Sequence, residues 1–169
     1  MSSLRTLLLL GAVLPAVLSQ YCGASFKPVL GTWCFHLGIS DPVVGPGAPQ
    51  TWPVSRAECQ KLNADLVVID SLEKMEAVAY YLSQESNAVS GYVYWVGGQR
   101  SASGDWTWVN SKNIDLKSHI WLPNEPRDGS GIRYTRIVPA DQTHNRHYVS
   151  TGKATSVSPG YICEQSPAS

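Results

Sequence analysis

The segment YVYWVGGQRSASGDWTWV, residues 92–109, contains two apolar runs that are typical of β-strands. Residues 92–96 are aromatic or β-branched, and Gly97-Gly98 follows them. Residues 106–109 place large side chains on either side of Thr107. The segment therefore predicts two strands in the middle of the chain.

Two helices are predicted on the N-terminal side of this segment. Ser55 and Glu58 have the spacing of a capping box, so the first helix is expected from Ser55 to about Asn63. Residues 66–69 predict a short buried strand, and residues 70–73 form a second capping box. The helix behind that box is expected to end near residues 86–87. It faces the core with residues spaced i, i+3, i+4, i+7: Met75, Val78, Ala79 and Leu82.

The remaining segments predict short strands and loops. A small hairpin or two edge strands are expected within residues 20–40, and the prolines of residues 41–53 predict a loop. Residues 110–131 are rich in Asn, Asp, Gly, Ser and Pro, which indicates a long loop of the kind that often carries function. Further strands are expected at residues 132–138, 146–150 and 161–164. Helices early and strands late indicate an α+β fold.

The N-terminus has the pattern of a secretory signal peptide. Arg5 precedes the apolar run of residues 7–18, and Val17 and Ser19 are small residues before a cut at Gln20. The run is too short to cross a bilayer, and no later apolar stretch is longer. We therefore expect a signal peptide at residues 1–19 and one secreted domain at residues 20–169, without membrane insertion after cleavage. The formal net charge of zero argues against a nucleic-acid partner.

Four cysteines remain after this cleavage, and an even count in a secreted chain implies disulfides. Four cysteines allow three pairings. A zinc site is disfavoured because there is no CxxC pair. No nucleophile-elbow, phosphate-loop or dinucleotide motif is present, so the chain is not expected to be an enzyme. The sequence shows no coiled-coil heptad, and the oligomeric state stays open.

Several of these motifs together resemble the C-type lectin-like domain family. The similarity covers nearly all of the chain after residue 19, in order. The matching pieces are Trp52, Cys59, residues 64–69, Ser71, Glu73, Trp95-Val96-Gly97-Gly98, residues 104–108, Trp121, Glu125-Pro126-Arg127 and residues 161–164. The resemblance implies two helices packed on small antiparallel sheets with a long loop region. It also implies the disulfides Cys59–Cys163 and Cys22–Cys34.

Sugar sites of this family work through Ca²⁺, which takes six to eight oxygen ligands. Glu125 is similar to the first ligand of such a site, and Pro126 to its cis proline. Arg127 stands where the family has Asn or Asp, and a guanidinium has no acceptor for a cation. The family's Trp-Asn-Asp calcium segment is also absent: residues 150–153 read Ser-Thr-Gly-Lys. The resemblance therefore implies a calcium site from which two supports are missing.

Other uses of these residues stay open. Glu125 and Asp128 are the candidate metal ligands, and Asp141 and Asn145 could join them in a rearranged calcium site. Arg127 could instead bind an acidic ligand bidentately, or form an ion pair with Glu125 or Asp128. Among the aromatic residues of the loop half, Tyr134 and Tyr148 are candidates for stacking on a sugar, with core packing as the alternative.

The function expected from the resemblance is a secreted lectin that recognises glycans on other cells or microbes. Its ligand-binding residues would be Glu125, Pro126, Arg127 and Asp128, with Tyr134 and Asn145. The alternative is a protein that shares only the fold and binds an extracellular protein or another non-sugar ligand without calcium.

Overall fold

The computed structural model describes residues 22–39, 49–86, 88, 92–141 and 146–166. The expected signal peptide at residues 1–19 lies outside these ranges. Neither helix in the described part is long and apolar enough to cross a membrane. The elements, in chain order, are β1 (Lys27–Val29), β2 (Trp33–Ile39), α1 (Trp52–Lys61), β3 (Asp65–Leu66), α2 (Leu72–Gln84), β4 (Tyr94–Arg100), β5 (Trp106–Trp108), β6 (Ile132–Asp141), β7 (Arg146–Lys153) and β8 (Gly160–Gln165). The predicted α+β class is confirmed.

The described strands form one sheet in the order β1-β2-β8-β4-β6-β7, with β3 added on β8 and β5 on β4. All pairings are antiparallel except that of β4 with β8, where Tyr94 and Trp95 pair with Gly160 and Tyr161. This parallel contact joins the smaller antiparallel sheets into one. It places the β6–β7 hairpin at the far edge from the N-terminal strands.

Helix α1 begins at Trp52, so the capping box expected at Ser55 is wrong, as is a loop that continues to residue 53. The N-cap is Thr51, and Pro53 lies in the first turn, where the backbone N–H has no helical partner to lose. The reason is a tertiary contact: the Trp52 ring is buried, and its Nε1 donates to the Val96 carbonyl at 2.7 Å. Ser55 lies inside the helix and is fully buried.

Helix α2 begins one residue later than the capping box at residues 70–73 predicts. Its N-cap is Ser71, whose Oγ accepts from the Lys74 N–H at 3.1 Å, and it ends at Gln84 rather than at residues 86–87. The strand expected at residues 66–69 is reduced to β3. The apolar residues after it are still buried, and Val67 donates its N–H to the Ile162 carbonyl at 2.9 Å.

Strand β4 continues through Gly97-Gly98, where the sequence pattern indicated an end. Both glycines are buried between neighbouring elements. A Cβ on Gly97 would lie 2.7 Å from the Leu66 carbonyl oxygen, and one on Gly98 would collide with the Thr135 side chain. The two glycines therefore mark close packing of β3, β4 and β6 rather than a strand end.

The core has two apolar clusters. The larger one packs α2 against the sheet, and the smaller one surrounds Cys59 and Cys163 together with Trp52 and Trp95. The disulfide Cys59–Cys163 joins α1 to β8 with its Cα atoms 5.4 Å apart. The second disulfide, Cys22–Cys34, ties the N-terminal segment to β2. Both pairings implied by the resemblance are confirmed.

The loop that follows β5 lies against the outer edge of β7. Leu122 donates its N–H to the Val149 carbonyl at 2.9 Å, and Val149 donates to the Ile120 carbonyl at 2.7 Å. Trp121 is buried and meets the Trp106 ring edge-on. These contacts bring the Glu125-Pro126 segment beside Ser150 and Thr151 of β7.

Candidate functional site

The loop reaches the site through a tight turn that ends in a cis peptide bond between Glu125 and Pro126. Asn124 precedes this bond with a φ of 68°, a left-handed conformation that asparagine adopts more readily than most residues. The Glu125 N–H donates to the Leu122 carbonyl at 2.9 Å and closes the turn. The Glu125 side chain then points toward β7 and is 4% exposed.

The carboxylate of Glu125 accepts five hydrogen bonds from the protein. Oε1 accepts from Arg127 Nε and from the Ser150 hydroxyl, both at 2.9 Å. Oε2 accepts from the Arg127 backbone N–H at 2.9 Å. Thr151 also donates to Oε2, from its hydroxyl at 2.5 Å and its backbone N–H at 3.2 Å.

This carboxylate is held in its charged form. Burial raises the pKa of Glu125. The hydrogen bonds from Thr151, Arg127 and Ser150 and the charge of Arg127 lower it by more than burial raises it, so the pKa lies below its ordinary value of 4.5. A carboxylate offers about four lone-pair positions, and five donors already use them. Glu125 therefore acts as an internal support that fixes the loop to β7.

Two cavities flank the loop and share Leu122, Pro123, Asn124 and Glu125 as a common wall. One has a volume of about 410 Å³ and is also lined by Lys117, His119 and Tyr148, among others. The other has a volume of about 480 Å³, and its remaining lining residues are Arg127, Arg136, Val138, Pro139 and Ser150. The cis-proline segment is thus a ridge between two concave surfaces.

The other expected site residues have different partners. Asp128 is 87% exposed and pairs with Arg100 at 2.9 Å rather than with Glu125 or Arg127. Tyr134 lines neither of the two cavities. Its ring stacks on Trp52 with 4.4 Å between centroids. Tyr134 therefore packs against the core, the alternative to stacking on a sugar. Asn145 lies outside the described residues.

The donor set does not fit a calcium ion at Glu125. The oxygens that would face the ion are bonded to Arg127, Ser150 and Thr151, and the guanidinium of Arg127 adds a positive charge 2.9 Å from Oε1. Asp128, the second candidate ligand, is engaged by Arg100. No group of three or more His, Cys, Asp or Glu side chains suited to a metal occurs within the described ranges.

Comparison with known proteins agrees with this architecture. The family model of the Lectin C-type domain matches residues 48–165, which is most of the chain.

The chain belongs to the C-type lectin domain family.

Relatives of this C-type lectin domain differ widely in length. The chain is 30% identical over 99 residues to the human C-type lectin domain family 10 member A, a match that covers 59% of the chain and 25% of that protein. The chain spans less than half the length of the curated relatives that it matches.

Solved structures share the fold at low identity. The SPL-1–GlcNAc complex superposes with a TM-score of 0.66 at 19% identity, covering 88% of this chain and 97% of that chain. The Ca²⁺-independent C-type lectin SPL-2 from Saxidomus purpuratus gives 0.65 at 17% identity, covering 85% and 93%. At these identities the similarity establishes the C-type lectin fold alone.

Sequence reasoning missed three residues of this candidate site. Ser150 and Thr151 were noted only as replacements for a calcium segment, yet both are buried and donate hydrogen bonds to Glu125. No local sequence signal marked this pair, because their contact with Glu125 depends on how the loop lies along β7. Arg136 lies in β6, and only the register of β6 with β7, where it pairs with Ser150, brings it to the site.

Proposed function

We propose that this protein is a secreted lectin that binds glycans at the cis-proline loop without coordinating calcium through Glu125. The observation that carries the proposal is the set of five protein hydrogen bonds on the Glu125 carboxylate. In the calcium-dependent arrangement, this group would face an ion and two sugar hydroxyls. In this chain, Arg127, Ser150 and Thr151 bind the carboxylate in place of an ion and sugar hydroxyls. Hydrogen bonds within the protein therefore fix the conformation of the loop.

The cavity of about 410 Å³ supplies the surface that a sugar would contact. Sugar rings combine an apolar face, which stacks on aromatic rings, with hydroxyls that need hydrogen-bond partners. Tyr148 offers an aromatic ring at one wall, and Asn124 and His119 offer exposed polar groups beside it. This mixture favours a sugar over a purely apolar ligand.

The neighbours in fold support a role in binding rather than in catalysis. One related structure is a complex with GlcNAc, and another is described as a calcium-independent lectin. Both properties occur on this architecture, and the internal carboxylate support gives a physical reason to extend them to this chain. The two disulfides are also compatible with secretion, since such bonds persist in oxidising compartments.

The test is a glycan array probed with the disulfide-bonded protein in calcium and again in EDTA. We expect the same glycans to bind in both buffers. Binding that disappears in EDTA would contradict the proposed calcium independence. Absence of binding in either buffer would overturn the lectin function and favour an extracellular protein ligand.

Matched tyrosine variants locate the binding surface. Tyr148→Ala removes the ring at the cavity wall and should weaken the strongest array signal at least about tenfold, because stacking on an aromatic ring is lost. Tyr80→Ala removes an equally large side chain that is exposed on α2, and it should change nothing. Equal effects of the two variants would place the sugar elsewhere.

A further inference from the structure

The cavity of about 480 Å³ beside the cis-proline loop is lined by two arginines from different elements. Arg127 comes from the loop and Arg136 from β6. Among the described residues that line this cavity, Glu125 is the only acidic one. Its walls therefore carry one more positive than negative charge, although the whole chain has a formal net charge of zero.

Both guanidinium groups have N–H donors that are not used in the hydrogen bonds of the described residues. Within the described residues, the one side-chain hydrogen bond of Arg127 runs from Nε to Glu125, and the side chain is 57% exposed. The Nε of Arg136 is enclosed and finds no hydrogen-bond partner among the residues that the structure describes. A guanidinium has five N–H donors, and a buried donor without an acceptor is costly.

The charges of the two arginines also act on each other. Burial lowers the pKa of Arg136, the charge of Arg127 lowers it further, and the charge of Glu125 raises it. Glu125 is already bonded to Arg127, Ser150 and Thr151, so it only partly balances the second guanidinium. An anion between Arg127 and Arg136 would accept hydrogen bonds from guanidinium N–H groups that line the cavity and would reduce this repulsion.

We propose that Arg127 and Arg136 together bind the oxyanion substituent of an acidic glycan, either a sulfate ester or a uronic-acid carboxylate. This inference rests on the proposed lectin function and names the class of sugar that the site selects. Two guanidinium forks match the oxygens of such a group better than lysines would, because their donors are planar and fixed in direction. The neighbouring cavity shares the wall formed by the loop, so a sugar whose acidic group enters this cavity would have its ring beside the same ridge.

The test is a titration of the disulfide-bonded protein, followed through the arginine Nε–Hε signals in NMR spectra. The probes are glucose 6-sulfate, glucuronate and glucose. We expect the signals of Arg127 and Arg136 to shift with at least one acidic probe and not with glucose. A shift with only the sulfate or only the carboxylate identifies which oxyanion the site takes. If the signals of Arg127 and Arg136 shift with neither acidic probe, the inference is overturned.

Matched variants separate a specific fork from general charge attraction. Arg136→Gln should weaken binding of the acidic probe about tenfold or more, because charge-assisted hydrogen bonds are lost. Arg133→Gln removes the same charge from the same strand, but Arg133 is exposed, bonds the Ser101 carbonyl and does not line the cavity. It should bind within about twofold of the wild type. Equal weakening by both variants would overturn the proposal.

Arg136→Lys keeps the charge and removes the fork, so it serves if the glutamine variant does not fold. It should also weaken binding, and full retention would contradict recognition by guanidinium geometry. The glycan array tests the lectin function and the titration tests the anion site, so their outcomes can be distinguished. Arginine shifts without any glycan binding would end the lectin proposal and leave the anion site standing. Glycan binding without arginine shifts would do the reverse.

Discussion

The helical half and the loop half of this domain are stabilised by different kinds of interaction. The helical half consists of α1, α2, β1, β2, β3 and β8, and it contains both disulfides and the helix that covers the larger apolar cluster. The loop half consists of residues 109–131 with β6 and β7. Its loop is fixed by a buried carboxylate with five hydrogen bonds. Both halves contribute to the apolar core, but only the helical half among the described residues has covalent cross-links, whereas the loop of the other half is fixed by a charged group.

The largest expected effect comes from removing the long-range disulfide of the helical half. The double substitution of Cys59 and Cys163 by alanine should lower the free energy of unfolding by about 4–5 kcal/mol, since this bond closes a loop with a sequence separation of 104. The same change at Cys22 and Cys34, with a separation of 12, should cost only about 2–3 kcal/mol. Urea unfolding of both variants measures the difference. Equal losses would show that loop length does not set the contribution.

The next effect probes the carboxylate of the loop half. Glu125→Ala should destabilise the protein by about 3 kcal/mol, because Ser150 and Thr151 lose a buried acceptor. Glu58→Ala is the control in the helical half. Within the described residues the ion pair of Glu58 is with exposed Lys61, so this change should cost less than about 1 kcal/mol. If both variants unfold at the same urea concentration, the loop half does not depend on Glu125.

The dependence on charge should also appear as a dependence on pH. The pKa of Glu125 is lowered by folding, so its contribution is complete above its ordinary value of 4.5 and is lost as the pH falls below that value toward the folded pKa. The difference in unfolding free energy between the wild type and Glu125→Gln should therefore be constant near neutral pH and shrink below about pH 4.5. A difference that stays constant down to pH 3 would contradict this sign.

The smallest effect is expected from an ion pair of the helical half. Asp65 accepts three hydrogen bonds from Arg56, but both side chains are about one-third exposed. Asp65→Asn should therefore cost no more than about 1 kcal/mol, less than the equivalent change Glu125→Gln. Chemical unfolding of this matched pair at pH 7 compares the two halves directly. A larger loss for Asp65→Asn would reverse the comparison.

The sequence predicted the helical half better than the loop half, for a physical reason. The periodicity of α2 reflects burial of one helix face, which repeats along the chain. The even number of cysteines predicted disulfides, and the family resemblance implied their pairing. The start of α1 was wrong because the buried contact of Trp52 with Val96, 44 residues away, decides it. Glu125 and Pro126 were recognised from their motif, and the ion pair of Arg127 with Glu125 was one of the predicted alternatives, but Ser150 and Thr151 were not recognised as partners of Glu125.

Those partners come from strand register. Ser150 and Thr151 reach Glu125 only because the loop lies along β7, and Arg136 reaches the same cavity because it pairs with Ser150. The position of Tyr134 also depends on a contact between distant residues, since its ring stacks on Trp52, 82 positions earlier in the sequence. No local pattern encodes such contacts, so sequence reasoning offered alternatives for Arg127 that only the structure distinguishes.

The internal support of the cis-proline ridge has a consequence for the kinetics of recognition. A segment fixed beforehand by its own chain loses little conformational entropy when a ligand arrives. Encounter would then be governed by diffusion and by the positive charge of the cavity walls, without a preceding rearrangement of the loop. Differences in affinity among ligands of this site would accordingly be expressed in how long each complex lasts, rather than in how fast it forms.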